Sequence, residues 1–317
     1  MTTLARLKTA TTGIARALAG PTLGLGLALA TSPTLATAQI VPVPLVRPAT
    51  GAGPALWVIR DADSTLYLFG TIHMLRPDTG WGTDRVDAAF NTASEIWFEI
   101  ANPGDEAAVL PLIQQYGISP ATPLSSLLTP DEIAKLDVAA RNLGASAAQM
   151  DTFRPWFAGL LLSIGTVTSA GYDPLSGVEL RLLARARENN KPIKAFETDD
   201  FQVRLFASMP QDIQLEFLRD TLKNFETSSV MLDEMVAAWA QGDVASLERI
   251  TITDLKVDAP QVYDALFVRR NTDFANQIQT LLAGSGTAFI AVGAAHLIGE
   301  DSVQAMLAQR GITVVRE

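Results

Sequence analysis

Cysteine is absent from the 317 residues, so no disulfide framework holds this fold and no thiolate serves it as nucleophile or metal ligand. The same absence excludes a lipid-modified N-terminal cysteine. Histidine is nearly as scarce, with His73 and His296 the only two. Basic residues are also few, 24 against 34 acidic, for a net charge of −10. A chain of that balance repels phosphate backbones, so nucleic acid is not an expected partner, whereas a peptide or protein substrate or a cation is compatible with it. No Gly-x-Ser-x-Gly elbow, Gly-x-Gly-x-x-Gly fingerprint or P-loop occurs, which argues against serine-hydrolase and nucleotide-cofactor chemistry. No short-period repeat is present, so solenoids and propellers are excluded.

What is present begins with apolar content, 48% of residues, enough for a sizeable core and incompatible with a disordered chain. Arg6, Lys8 and Arg16 carry the only charges before Arg47, and an apolar run over residues 18–30 follows them. This is the pattern of a secretory n-region and h-region, with Ala36 and Ala38 framing an A-x-A cleavage site. A signal peptide over residues 1–38 is therefore expected, with mature protein from Gln39, exported to the periplasm or the medium. The run is shorter than the roughly 20 residues that span a bilayer, and no later segment is longer, so no stable membrane span is expected after cleavage. Losing the three cations takes the net charge from −10 to −13. Residues 39–54, rich in proline and ending in Gly51-Ala-Gly-Pro54, read as an extended leader. The domain proper spans residues 55–317.

Within it, residues 56–60 and 65–69 are strand-like runs around the turn composition Asp61-Ala-Asp-Ser64, which predicts a hairpin. A helix is expected over residues 83–92, then an apolar strand over residues 96–100. Thr129-Pro-Asp-Glu132 is a capping box with proline at the first helical position. Apolar residues recur at helical spacing over residues 213–239, so the middle of the chain is helical. Residues 191–197 form a short strand, residues 287–292 a buried one, residues 302–310 a helix and residues 311–315 a last strand. Tyr67-Leu-Phe-Gly70-x-x-His73 and Ile290-Ala-Val-Gly293-x-x-His296 share strand, glycine and histidine at equal spacing, each leading into a helix. Two related β-α halves around one sheet would produce that echo.

In open α/β sheets, ligands bind beyond the carboxyl ends of strands. Four candidates end such strands: His73, Glu99, Glu197 and His296. Two imidazoles with carboxylates make a mixed N/O set that suits zinc, manganese, cobalt or iron(II) and leaves room for a water. An ion there would lower the pKa of that water and polarise a carbonyl, with Glu99 or Glu197 as general base. Arg270 is a candidate for clamping a carboxylate or stabilising an oxyanion. Arg154 is better explained as a helix-end contact, Trp156 as core, and Asn271 as orienting a ligand or satisfying backbone groups.

Gly70-Thr-Ile-His73-Met, Phe98-Glu99, Arg154-Pro-Trp156, Lys191-Pro-Ile, Phe196-Glu197-Thr, Arg270-Asn271 and Val292-Gly-Ala-Ala-His296-Leu-Ile-Gly299 resemble, in order, the motifs of the TraB/PrgY/GumN family, to which the Tiki metalloproteases are related. The resemblance runs from about Ala55 to the C-terminus. It implies a Tiki/EreA/ChaN-like α/β fold, a central β-sheet flanked by helices, with two repeated βαβ-type halves and a helical middle region. It further implies, for the Tiki branch, metal-dependent peptide hydrolysis, with His73 and His296 as the paired histidines, Glu99 as the acidic residue after the second motif strand, and Glu197 at the Glu-Thr position. Relatives often carry Gly-Ile-Asp where this chain has Gly177-Val178-Glu179, which leaves the role of Glu179 open; Asp173 is a substitute, but Asp173-Pro174 is equally a turn starter. The alternative to a hydrolase is a non-catalytic envelope protein that binds a metal, a haem-like or a polysaccharide-related ligand.

Overall fold

A computed structural model describes residues 46–317; the expected signal segment and residues 39–45 of the leader lie outside the described residues. The rest of the leader contributes Arg47–Pro48, which pairs in parallel with Gly80–Gly82.

The predicted hairpin forms from Leu56–Arg60 (β1) and Ser64–Thr71 (β2), antiparallel with Leu56 opposite Phe69. Asp61 makes the turn, its carboxylate accepting the Asp63 and Ser64 amides, as aspartate does where a chain reverses. Four further strands complete the sheet: Glu95–Phe98 (β3), Ile193–Ala195 (β4), Gly286–Gly293 (β5) and Val314–Arg316 (β6). Their order is β4-β3-β5-β2-β1-β6. Contacts between β4 and β3, β3 and β5, and β5 and β2 are parallel, and β1 alone runs against its neighbours. The carboxyl ends of β2, β3, β4 and β5 therefore lie along one edge.

Alternation along β5 shows why helices cover both faces. Phe289 and Ala291 join one buried cluster with Phe69, Phe90, Ile96 and Phe98, while Ala288, Ile290 and Val292 join another with Leu66, Leu68, Phe274 and Leu307. A strand buried on both sides is the signature of a covered, largely parallel sheet. Helix Asp84–Thr92 covers the first face, capped at Thr83 and packing Phe90 edge-on against Phe289. Helices Arg269–Leu282 and Val303–Gln309 cover the second.

The middle region is helical as expected. Helix Pro130–Arg141 starts on the predicted capping box, with Thr129 and Glu132 bonding reciprocally. Residues 213–239 divide into helices Gln211–Asn224 and Ser228–Ala240, and a third cluster around Leu136, Leu162 and Leu218 fills the space between the middle helices. Among the described residues no helix is long and apolar enough to cross a membrane.

Two expectations shift. The last strand falls at Val314–Arg316 rather than residues 311–315, because Gly311 takes a positive φ of 79° and Ile312 bonds back to the Leu307 carbonyl, consuming residues in the helix cap. The two Gly-x-x-His segments also part company. His296 sits in a 3-10 turn, Ala294–Leu297, directly after β5. The chain at His73 bends without forming a helical turn, bridges Leu75 to Asp173, turns at residues 77–78 and reaches its helix only past Gly80–Gly82.

Candidate functional site

All four predicted site residues lie just beyond the parallel strand ends: His73 past Thr71, Glu99 past Phe98, Glu197 past Ala195 and His296 past Gly293. Pairing between β3 and β4 continues past the strands, with the Glu197 amide donating 2.8 Å to the Glu99 carbonyl, so the two glutamates emerge side by side. Between their carboxylates lies Arg270, 1% exposed. Its Nη2 donates to Glu99 Oε2 at 2.6 Å and to Glu197 Oε2 at 2.8 Å, and its Nε donates to Glu197 Oε1 at 2.7 Å. Burial opposes the guanidinium charge most strongly, but the two glutamates outweigh it and hold Arg270 above its ordinary range. The amide of Gln202 donates 3.0 Å to both carboxylates. Gly293, the glycine of the second motif, contributes its backbone N–H to Glu99 Oε1 at 2.7 Å.

Arg270 reaches this position from the first turn of helix Arg269–Leu282, which follows a π-turn, Asp264–Val268. Its Nη1 donates 3.1 Å to the Leu266 carbonyl within that widened turn, a local irregularity often found at functional sites. The next residue, Asn271, turns to His296. Its Nδ2 donates 2.7 Å to the Asp301 carbonyl, which aims its Oδ1 at His296 Nδ1, 2.5 Å away. An amide oxygen only accepts, so Nδ1 carries the proton and Nε2 the lone pair. His296 is fully buried between the rings of Phe267 and Phe274. Burial first, then Arg270 and His73, hold its pKa well below the ordinary histidine value, so the ring is neutral. Nε2 makes no hydrogen bond and faces Glu99 Oε1 at 3.6 Å.

His73 has a different partner. Its Nδ1 lies 2.7 Å from Glu179 Oε1, which also accepts the Thr71 hydroxyl. Burial pushes the Glu179 carboxyl up, but His73 and then Thr71 outweigh it and hold it below the usual carboxylate range. Glu179 arrives because the start of helix Val178–Glu188 docks on the strand: the Val178 amide donates to the Ile72 carbonyl at 3.0 Å, and Gly177 lies so close that a Cβ would stand 2.1 Å from the His73 carbonyl oxygen. Gly70 has a similar use, since a Cβ there would meet Ala294 Cα at 3.0 Å. The open question over Glu179 is thereby answered in part: the longer side chain reaches His73.

Arg154 caps helix Pro155–Ser169 and donates to the Tyr116 carbonyl at 3.3 Å, and Trp156 is fully buried beside it; neither is among these partners. Asp173 starts a turn, its carboxylate accepting the Leu175 amide at 2.9 Å. Gln202, Thr71 and the Asp301 carbonyl were not singled out in the sequence. The Glu-Thr motif held a clue to the first: Thr198 caps helix Asp199–Ala207, whose first turns bring Gln202 back beneath Glu197.

Among the described residues no three His, Asp or Glu side chains are already gathered into a ready-made metal site. His296 and Glu99 nevertheless fit one: a buried lone pair without a hydrogen bond stands 3.6 Å from a carboxylate oxygen, close to the roughly 3.4 Å between two ligands bound tetrahedrally at ~2.1 Å. Histidine ligands commonly hold their other nitrogen on an amide, carbonyl or carboxylate, which describes both His296 and His73. Glu197 fits less well: Arg270 engages both its oxygens, whereas Glu99 Oε1 meets the Gly293 amide and faces His296 Nε2. Glu99, Glu179 and Glu197 are three carboxylates around one guanidinium, Arg270, an excess of negative charge that a divalent ion would offset. Beside the His296–Glu99 pair, His73, Glu99, Glu179 and Gln202 line a cavity of about 30 Å³, room for a couple of water-sized groups.

The model of the TraB/PrgY/gumN family matches residues 55–316. The protein YbaP of Escherichia coli K12 is 23% identical over 256 residues, covering 80% of this chain and 92% of its own length, and YbaP of Shigella flexneri matches to the same extent. A Treponema pallidum protein is 22% identical over 273 residues, 80% of each chain. The names of these relatives state no activity. No solved structure matches.

Proposed function

The chain belongs to the TraB/PrgY/gumN family, and we propose that it is an exported, divalent-metal-dependent hydrolase of peptide bonds, with its site at the carboxyl ends of β2, β3 and β5. The observation that carries this reading is the buried Nε2 of His296, stripped of hydrogen bonds and aimed at Glu99. Export is supported by the charged and apolar character of residues 1–38. A Tiki-like pair of related halves is part of the same reading, supported by the adjacent parallel strands β2 and β5 that both end in Gly-x-x-His.

His296 and Glu99 would hold the ion. A divalent ion supplies Lewis-acid polarisation of a carbonyl and a water acidic enough to attack near neutral pH. His73, its Nδ1 held by Glu179 and Thr71, is the group placed to take a proton from the attacking water and return it to the leaving amine. That role passes from Glu99 and Glu197 because Arg270, Gln202 and the Gly293 amide already engage their oxygens. Arg270 fixes both carboxylates in place, and Asn271 keeps the lone pair of His296 on Nε2.

The test is elemental analysis of the full chain after chelation and reloading with manganese, cobalt, zinc or iron(II), beside mass-spectrometric screening of a peptide library. Wild type is expected to hold stoichiometric metal and to cut peptides, and the His73→Ala/His296→Ala double variant to lose both. No metal and no cleavage in wild type refutes the reading. Metal without cleavage refutes the hydrolase and leaves an envelope metal-binding protein.

A further inference from the structure

The cavity that touches His73 and Glu99 has walls as well as a polar floor, and the walls carry information about what enters. Ile100 and Pro103 come from the loop after β3, Pro174 from the turn ahead of helix Val178–Glu188, and Leu180 from that helix. All four are apolar. Charge enters only through His73, Glu99 and Glu179 on the floor, and the cation nearest to them, Arg270, is already bound by Glu99 and Glu197. No lysine or arginine lines the cavity.

Both walls are held by local bonds, so the shape is built in before anything binds. Asn102 donates 2.8 Å to Asp105 and accepts Arg187 at 2.6 Å, which ties the loop after β3 to the far end of the helix that carries Leu180. Asp173 accepts the Leu175 amide at 2.9 Å and the Ser176 hydroxyl at 3.3 Å, which fixes the turn bearing Pro174. Leu180 is braced in turn by Gly104, whose φ of 89° and missing side chain let the loop close on it: a Cβ there would stand 3.3 Å from Leu180 Cδ2. A volume of about 30 Å³ accommodates about two water-sized groups.

We infer that this cavity is a specificity subsite that takes a small, uncharged side chain of the substrate next to the scissile bond and rejects acidic or aromatic ones. The inference rests on the hydrolase reading and names its substrate class: internal bonds of peptides, flanked by alanine-sized residues. Beyond the ion, which would serve the scissile carbonyl and the water, a free C-terminal carboxylate finds no lysine or arginine here to pair with, so release of single C-terminal residues is not the activity. Small size is selected by rigid walls, and negative charge is rejected by repulsion rather than by missing contacts.

Binding and cleavage are measured on the full chain. Methyl-labelled protein is titrated with the N-acetyl, N-methylamide derivatives of alanine, aspartate and phenylalanine, and the Leu180 methyl resonances are followed. The alanine derivative is expected to shift them saturably, with the other two at least about tenfold weaker. Leu180→Ala, which removes one wall, is expected to admit the phenylalanine derivative while still excluding aspartate. Equal response to alanine and aspartate, or no response at Leu180 to any of the three, overturns the subsite. The metal-loaded protein is then given the peptide library. Cuts flanked by small residues support both readings, and cuts without preference sink the subsite alone. Selective binding at Leu180 with no cut in any peptide sinks the hydrolase and leaves the selective pocket standing.

Discussion

Replacing Arg270 with methionine isolates the charge at the centre of the site while nearly conserving volume. The guanidinium is 1% exposed and makes three bonds of 2.6 to 2.8 Å to Glu99 and Glu197, whose side chains are 7% and 6% exposed. Without it, two buried carboxylates face each other with only Gln202 between them. Removing one partner of a buried ion pair typically costs about 3–5 kcal/mol, because the stranded charge has neither water nor counter-ion. For a chain of this size each kcal/mol moves Tm by roughly 2 °C or slightly more, so Arg270→Met should melt roughly 6–12 °C below wild type. Arg270→Lys should fall between them, since an ammonium on a flexible stem cannot bridge two carboxylates as a planar fork does. Adding Glu99→Gln and Glu197→Gln to Arg270→Met should recover most of the loss, as the stranded charges are then gone. Urea denaturation of the four proteins at neutral pH measures this. An Arg270→Met stability within about 1 kcal/mol of wild type, or no recovery in the triple variant, would refute the view that Arg270 is the stabilising partner of these carboxylates.

Gly177→Ala should be destabilising by about 1–3 kcal/mol, the range for overpacking, because the added methyl would stand 2.1 Å from the His73 carbonyl; thermal melting reads the loss, and an unchanged Tm would mean that the close approach is not real. Asn271→Leu should weaken metal binding about 10–100-fold, as loss of an outer-shell partner usually does, since it removes the acceptor that keeps the proton on His296 Nδ1. Competition with a chelating dye measures that affinity, and wild-type binding in the variant would exclude His296 as a ligand.

Much of the frame was legible because it rests on local signals. The Asp61 turn, the Thr129 capping box and the apolar run of β5 each act over a few residues, and each produced the element expected of it. The strand-end rule did the same for the site, bringing His73, Glu99, Glu197 and His296 to one edge of the sheet. What stayed hidden were the partners that need tertiary structure to exist. Gln202 is an ordinary helical glutamine until its helix folds under Glu197; the donor for Glu99 is a backbone amide, which no side-chain pattern reveals; Asn271 is aimed by the Asp301 carbonyl, a group every residue has. By sequence Arg270 is a candidate for clamping a carboxylate or stabilising an oxyanion; in the structure its hydrogen bonds go to Glu99, Glu197 and the Leu266 carbonyl.

The equal spacing of the two Gly-x-x-His segments also conceals an offset that explains why their histidines differ. In the parallel pairing of β2 and β5, Gly70 lies opposite Val292 and Thr71 opposite Gly293, so the second motif is displaced by one position. In a strand that displacement exchanges the two faces. Gly70 therefore serves packing, making room for Ala294, whereas Gly293 turns its amide to Glu99. Beyond them His296 coils inward between two aromatic rings, and His73 lies at a bend past the strand where Glu179 meets it. Two identical motifs thus deliver one buried, neutral imidazole and one carboxylate-paired imidazole at the cavity wall. In the proposed hydrolase one imidazole would donate to an ion and the other transfer a proton, and that reading calls on this difference.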